Sequence, residues 1–128
     1  MAGSINKVIL LGRLGADPEI RVSQDGKKIA RFSLATSESW KDKLSNEKKE
    51  KTEWHKIVIF SVGLAEISEK YLKKGSLIYI EGQISSRKYT DQSGVEKYIT
   101  EIVLQGYNCQ LTMLDNRTDN FDGNSISS

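Results

Sequence analysis

The sequence predicts an all-β fold: a five-stranded barrel with one helix between strands 3 and 4 and extended hairpin loops. Three observations predict it. Runs rich in β-branched and aromatic residues alternate in polarity along the chain. Turn signals such as Asp25-Gly26 separate them. One segment, "GLAEISEKYLKKG", has helical spacing instead.

Taken in order, "NKVILLGRLG" opens as a strand, and Asp17-Pro18 breaks it before a short extended piece in "ADPEIRVS". "KIARFSLAT" is the second strand, with Ala30, Phe32 and Leu34 on one side and Arg31, Ser33 and Ala35 on the other. Residues 39–52, "SWKDKLSNEKKEKT", have no apolar periodicity and read as a long polar connection. The third strand is "TEWHKIVIF". One face carries Trp54, Lys56, Val58 and Phe60, and the other His55, Ile57 and Ile59. The helix follows, with Leu64, Ile67, Tyr71 and Leu72 on one stripe, Lys73 and Lys74 in its last turn and Gly75 as its C-terminal cap. "SLIYIEGQISSRKY" returns to alternation, with Ile78, Ile80 and Ile84 opposed to Leu77, Tyr79 and Glu81. Across the polar tip "TDQSGVEK" it forms a long-armed hairpin with "YITEIVLQ". Three strands, a helix and two strands match a small Greek-key barrel of the OB type. A mixed α+β sandwich has a similar pattern. Residues 1–114 form the expected domain, and 115–128, rich in Asn, Asp, Ser and Gly, are expected to be a disordered tail.

With 128 residues, 38% apolar and 28% charged, the chain is long enough for one hydrophobic core. No run approaches the roughly 18 apolar residues of a membrane span. "MAGSINKVIL" has neither a secretory nor an organelle-targeting pattern, so cytoplasmic residence without membrane association is expected. Cys109 is the only cysteine and His55 the only histidine, which excludes an intramolecular disulfide and the usual Cys/His zinc sites. No metal or other cofactor is expected. Residues 1–114 hold 18 Lys/Arg against 14 Asp/Glu, and residues 115–128 hold one against three: a mildly basic body with an acidic tail.

Catalysis has little support. His55 lies beside a Trp without an evident nucleophile or orienting carboxylate, and neither a phosphate-binding loop nor a serine-nucleophile motif occurs. His55 therefore reads as a packed or subunit-contact residue, and Cys109 as a small packed one. Rings beside cations recur, however. Trp40 lies among Lys41, Lys43 and Lys48, Trp54 and Phe60 flank Lys56, and Tyr89 follows Arg87 and Lys88. Single-stranded nucleic acid requires that combination, because unstacked bases present π-faces between regularly spaced phosphates. A Trp on a strand is more often core, and a Lys-rich stretch containing Asp42, Glu47 and Glu50 can be a solvated face. The triple recurrence favours binding.

"NKVILLGRLGADPEIR", "ATSESWKDK", "KTEWHKIVIF", "YLKKGSLIYIEGQI" and "RKYTDQSGVEKY" together resemble the bacterial single-stranded DNA-binding protein (SSB) family over residues 4–114. The resemblance implies an OB-fold homotetramer that binds and protects single-stranded DNA without sequence preference in replication, recombination and repair, associated with the nucleoid. It implies stacking positions at Trp40, Trp54, Phe60 and Tyr89, phosphate contacts at Lys7, Arg13, Lys43, Lys56, Arg87 and Lys88, and subunit packing near Tyr79, with His55 a further interface position by its own reading. Two features depart from the family pattern. Tyr89 stands where the family often has Trp, which reduces stacking area. The chain ends in "NSISS" rather than the acidic tip that recruits replication and repair proteins, as a truncated tail would. An OB module whose rings pack between protomers is the alternative reading.

Overall fold

The computed structural model describes residues 3–115. Its elements are β1 (Val8–Leu14), β2 (Glu19–Val22), β3 (Lys28–Lys41), β4 (Lys48–Ile59), α1 (Val62–Tyr71), β5 (Leu77–Thr90), β6 (Glu96–Leu104) and β7 (Gln110–Met113). β1 pairs with both β3 and β5, which closes the ring β1-β3-β4-β6-β5. These are the five predicted strands, with the helix between the third and the fourth. The β4–β6 pairing is parallel and the other pairings are antiparallel. β2, the short extended piece, adds to β3, and β7 adds to β5.

The inward faces are those the alternation marks. Ala30, Phe32 and Leu34 of β3 meet Ile57 and Ile59 of β4, Ile78 and Ile80 of β5, and Ile102 and Leu104 of β6 in one buried cluster. Burying each larger aliphatic side chain contributes about 1.5–3 kcal/mol. Closure requires β1 to approach β3 closely. A Cβ on Gly12 would lie 2.1 Å from the Ala35 carbonyl oxygen, so only glycine fits at this seam. The outward parity of β4 is less open than alternation alone suggests: Val58, between Arg31 on β3 and Val103 on β6, is buried.

α1 packs on β3 and β4 through the buried Ala65 and Ser68. The Ser68 hydroxyl donates to the Leu64 carbonyl at 2.9 Å and is thereby satisfied. The helix ends before the predicted Lys73-Lys74-Gly75 cap. Leu72 turns extended (φ −89°) and buries its side chain. Gly75 belongs to the next turn, where its N–H donates to the Leu14 carbonyl and the Leu14 N–H to that of Ser76. Core packing of Leu72 and these bonds to β1 override the local capping signal.

Residues 39–52 also differ from expectation. They are not a loop but the outer half of the β3–β4 ribbon, paired as far as Lys41↔Lys48. Only Asp42–Glu47 turn, with the Asp42 N–H donating to the Glu47 carbonyl at 2.8 Å and Asn46 at φ 62°. The arm is solvent-exposed on both faces, so no apolar alternation marks it. β7 likewise has no sequence signal, because four residues in a polar stretch carry little pattern. Cys109 is half-buried against the core, and burial pushes its thiol pKa up, as its packed reading implies. Among the described residues no helix is long and apolar enough to cross a membrane. The expected tail lies outside the described residues except Asp115, whose carboxylate accepts from the Leu77 N–H at 2.9 Å.

Candidate nucleic-acid interface

Paired residues on neighbouring strands share a sheet face. The registers Arg31↔Val58, Ser33↔Lys56 and Ala35↔Trp54 join β3 to β4, and Val58↔Val103 joins β4 to β6. Ser85↔Glu101, Arg87↔Ile99 and Tyr89↔Lys97 join β6 to β5. Trp54, Lys56, Arg31, Glu101, Arg87 and Tyr89 therefore occupy one outer face spanning four strands. Trp54 is 60% exposed and Tyr89 40%. Phe60, just past β4 and 38% exposed, is held by its N–H to the Leu104 carbonyl at 2.9 Å.

A shallow groove of about 320 Å³ runs across this face, lined in part by Arg31, Ser33, Lys56, Val58, Ile99 and Glu101. Glu101 is its buried anchor. The Arg31 guanidinium lies 3.4 Å from the carboxylate and that of Arg87 3.1 Å. Lys56 is exposed and has no ion-pair partner among the described residues.

The other predicted residues are more dispersed. Trp40 pairs with Lys49 on the opposite face of the β3–β4 ribbon from Trp54, so the two indoles flank the arm instead of lying side by side. Lys43 projects from the arm's turn. Lys88 faces away from Arg87 and Tyr89, opposite Tyr98, and pairs with Glu96 at 3.4 Å. Arg13 donates to the Gly75 carbonyl at 2.9 Å and pairs with Asp115 at 3.6 Å. Lys7 pairs with Glu81 at 3.2 Å, away from the rings.

Glu81 belongs to a second outer surface. Tyr79 donates its hydroxyl to the Glu81 carboxylate. That bond, with the nearby carboxylate charge and burial, raises the Tyr79 pKa; the Tyr79 and Lys7 donors hold Glu81 below the usual carboxylate range. Ile9 and Leu11, opposite Glu81 and Tyr79 on β1, leave more than half of their surface exposed. His55 is elsewhere, half-buried on β4, with Nε2 2.8 Å from the Thr36 hydroxyl. The two predicted contact residues thus lie on different parts of the barrel.

Three residues of the aromatic face were not singled out from sequence. Arg31 and Glu101 carried a signal, outward parity and an acid inside the apolar run "YITEIVLQ". Gly15 carried none. A Cβ there would lie 2.4 Å from Cζ3 of Trp54, so the indole rests against the Gly15 backbone. Among the described residues no group of His, Cys, Asp and Glu could hold a metal ion. Exposed rings beside cations are suited instead to stacking on bases and neutralising phosphates.

Comparison with known proteins agrees with that chemistry. A family model described as "Single-strand binding protein family" matches residues 5–113. The single-stranded DNA-binding protein of Rickettsia typhi is 59% identical over 120 residues, covering 94% of this chain and 79% of that protein. That of Rhizobium meliloti is 59% identical over 117 residues, covering 91% and 67%. Among solved structures, a Plasmodium falciparum SSB complex with ssDNA superposes with a TM-score of 0.79 at 41% identity, covering 90% of this chain and 99% of that one.

Proposed function

The chain belongs to the single-strand binding protein family, and from that premise we propose that it binds and protects single-stranded DNA without sequence preference. The observation that carries this reading is the outer face shared by Trp54, Lys56, Arg31, Arg87 and Tyr89. Bases would stack on Trp54, Tyr89, Phe60 and Trp40, and phosphates would be met by Lys56, Lys43 and the arginines. Stacking is indifferent to base identity because every base has a π-face. The protein acts by binding, without catalysis, in the cytoplasm at the nucleoid, during replication, recombination and repair.

Assembly into a homotetramer is part of the proposal. Exposed Ile9 and Leu11 beside the Tyr79–Glu81 pair support a contact between copies, since water-facing aliphatic side chains on a strand favour burial against a partner. Light scattering with a labelled-oligo(dT) competition tests both parts. A mass four times that of the chain and displacement by unlabelled single strands but not by duplex are expected. A monomer mass, or equal competition by duplex, contradicts the corresponding part.

Trp54 needs its support as well as its ring. Gly15→Ala drives a methyl into the indole and is expected to weaken oligo(dT) binding by up to the roughly 1–3 kcal/mol that one stacked base contributes. Fluorescence titration of this variant checks it, and unchanged affinity would remove Gly15 from the account.

A further inference from the structure

Taking the proposed single-stranded DNA binding as its basis, we infer that Glu101 is an internal stand-in for a nucleic-acid phosphate, occupying Arg31 and Arg87 and limiting how many DNA charges this face neutralises. The carboxylate side chain is 7% exposed, and the two guanidinium side chains 39% and 47%. Arg31 reaches it with one nitrogen at 3.4 Å, and Arg87 with Nε at 3.1 Å and a terminal nitrogen at 3.4 Å. A carboxylate and a phosphodiester each carry one negative charge and offer two acceptor oxygens to a guanidinium fork. Glu101 therefore makes with its own chain the contact that DNA would otherwise make.

Retention follows from burial. Withdrawing both arginines toward DNA would leave a buried carboxylate unpaired, which is strongly unfavourable. The three groups together carry one positive charge rather than two. Lys56, without such a partner, supplies a full phosphate contact on the same face, whereas Arg31 and Arg87 supply oriented guanidinium planes and a reduced share of charge. Glu101 is a positioning residue in this scheme, and its effect is read in the salt dependence of binding.

The test measures oligo(dT) affinity across a salt series for the full chain and for Glu101→Gln, which keeps shape and removes charge. Freeing one phosphate site steepens the slope of log K against log salt by about 0.7. Glu101→Gln is expected to bind more tightly at 50 mM salt and to lose about 2.6-fold more affinity than the unmodified chain on passing to 200 mM. A folded Glu101→Gln with an unchanged or shallower slope overturns the inference. Should that variant fail to fold, Arg87→Gln decides: the inference requires it to change the slope by less than half as much as Lys56→Ala does, and a change of half or more overturns it. The unmodified chain is titrated first. Failure of that chain to bind would be the failure of the DNA-binding reading itself, and the inference would fall with it.

Discussion

Trp54→Ala is expected to weaken oligo(dT) binding by about 1–3 kcal/mol while leaving its salt slope nearly unchanged. Trp54 is 60% exposed, and its ring is backed by Gly15 and carries no charge. Its loss removes π-contact with a base but releases no counterion. Lys56→Ala, two residues along the same face, is expected to do the converse, making the slope shallower by about 0.7. Salt titrations of both variants separate stacking from phosphate contact, and identical behaviour would contradict that division. Neither side chain is buried, so both variants should keep the parent's stability within about 0.5 kcal/mol.

The largest effect on stability is expected at Ile80. It is fully buried where β5 pairs with β1 through Leu10 and with β7 through Leu111. Ile80→Ala leaves a cavity at this junction, and a loss of about 2–5 kcal/mol is expected. Urea unfolding should show it as a lower midpoint with an unchanged m-value. A loss below about 1 kcal/mol would mean that the three strands collapse onto the space, contrary to the packing described.

Legibility in the sequence tracked burial. Ala30, Phe32 and Leu34, Ile57 and Ile59, and Ile78 and Ile80 face a core, so their alternation placed the barrel strands and named most of the interior. Where both faces meet water, as in the β3–β4 arm, the backbone pairs without apolar alternation and the segment reads as a loop. The helix stops short of its sequence signal because Leu72 leaves it to fill the core, while Gly75 serves the following turn. For the site, the rings were visible as rings. Their disposition depends on register, which puts Trp40 and Trp54 on opposite faces of one ribbon, and Lys88 behind Tyr89. Lys7 and Arg13 are phosphate contacts only by resemblance, and no local pattern shows the long-range ion pairs that join them to Glu81 and Asp115. Gly15 acts on a side chain from another strand, a contact that no local pattern encodes.

If exposed rings on the barrel take up unstacked bases, intrinsic Trp emission must respond to single-stranded DNA. Trp40 and Trp54 are the only tryptophans, and both are predicted stacking positions. During titration with oligo(dT) at low salt, saturable quenching is expected, absent with duplex of equal length and reduced in Trp54→Ala. Emission that stays constant as oligo(dT) is added, at concentrations where the protein is folded, would contradict it.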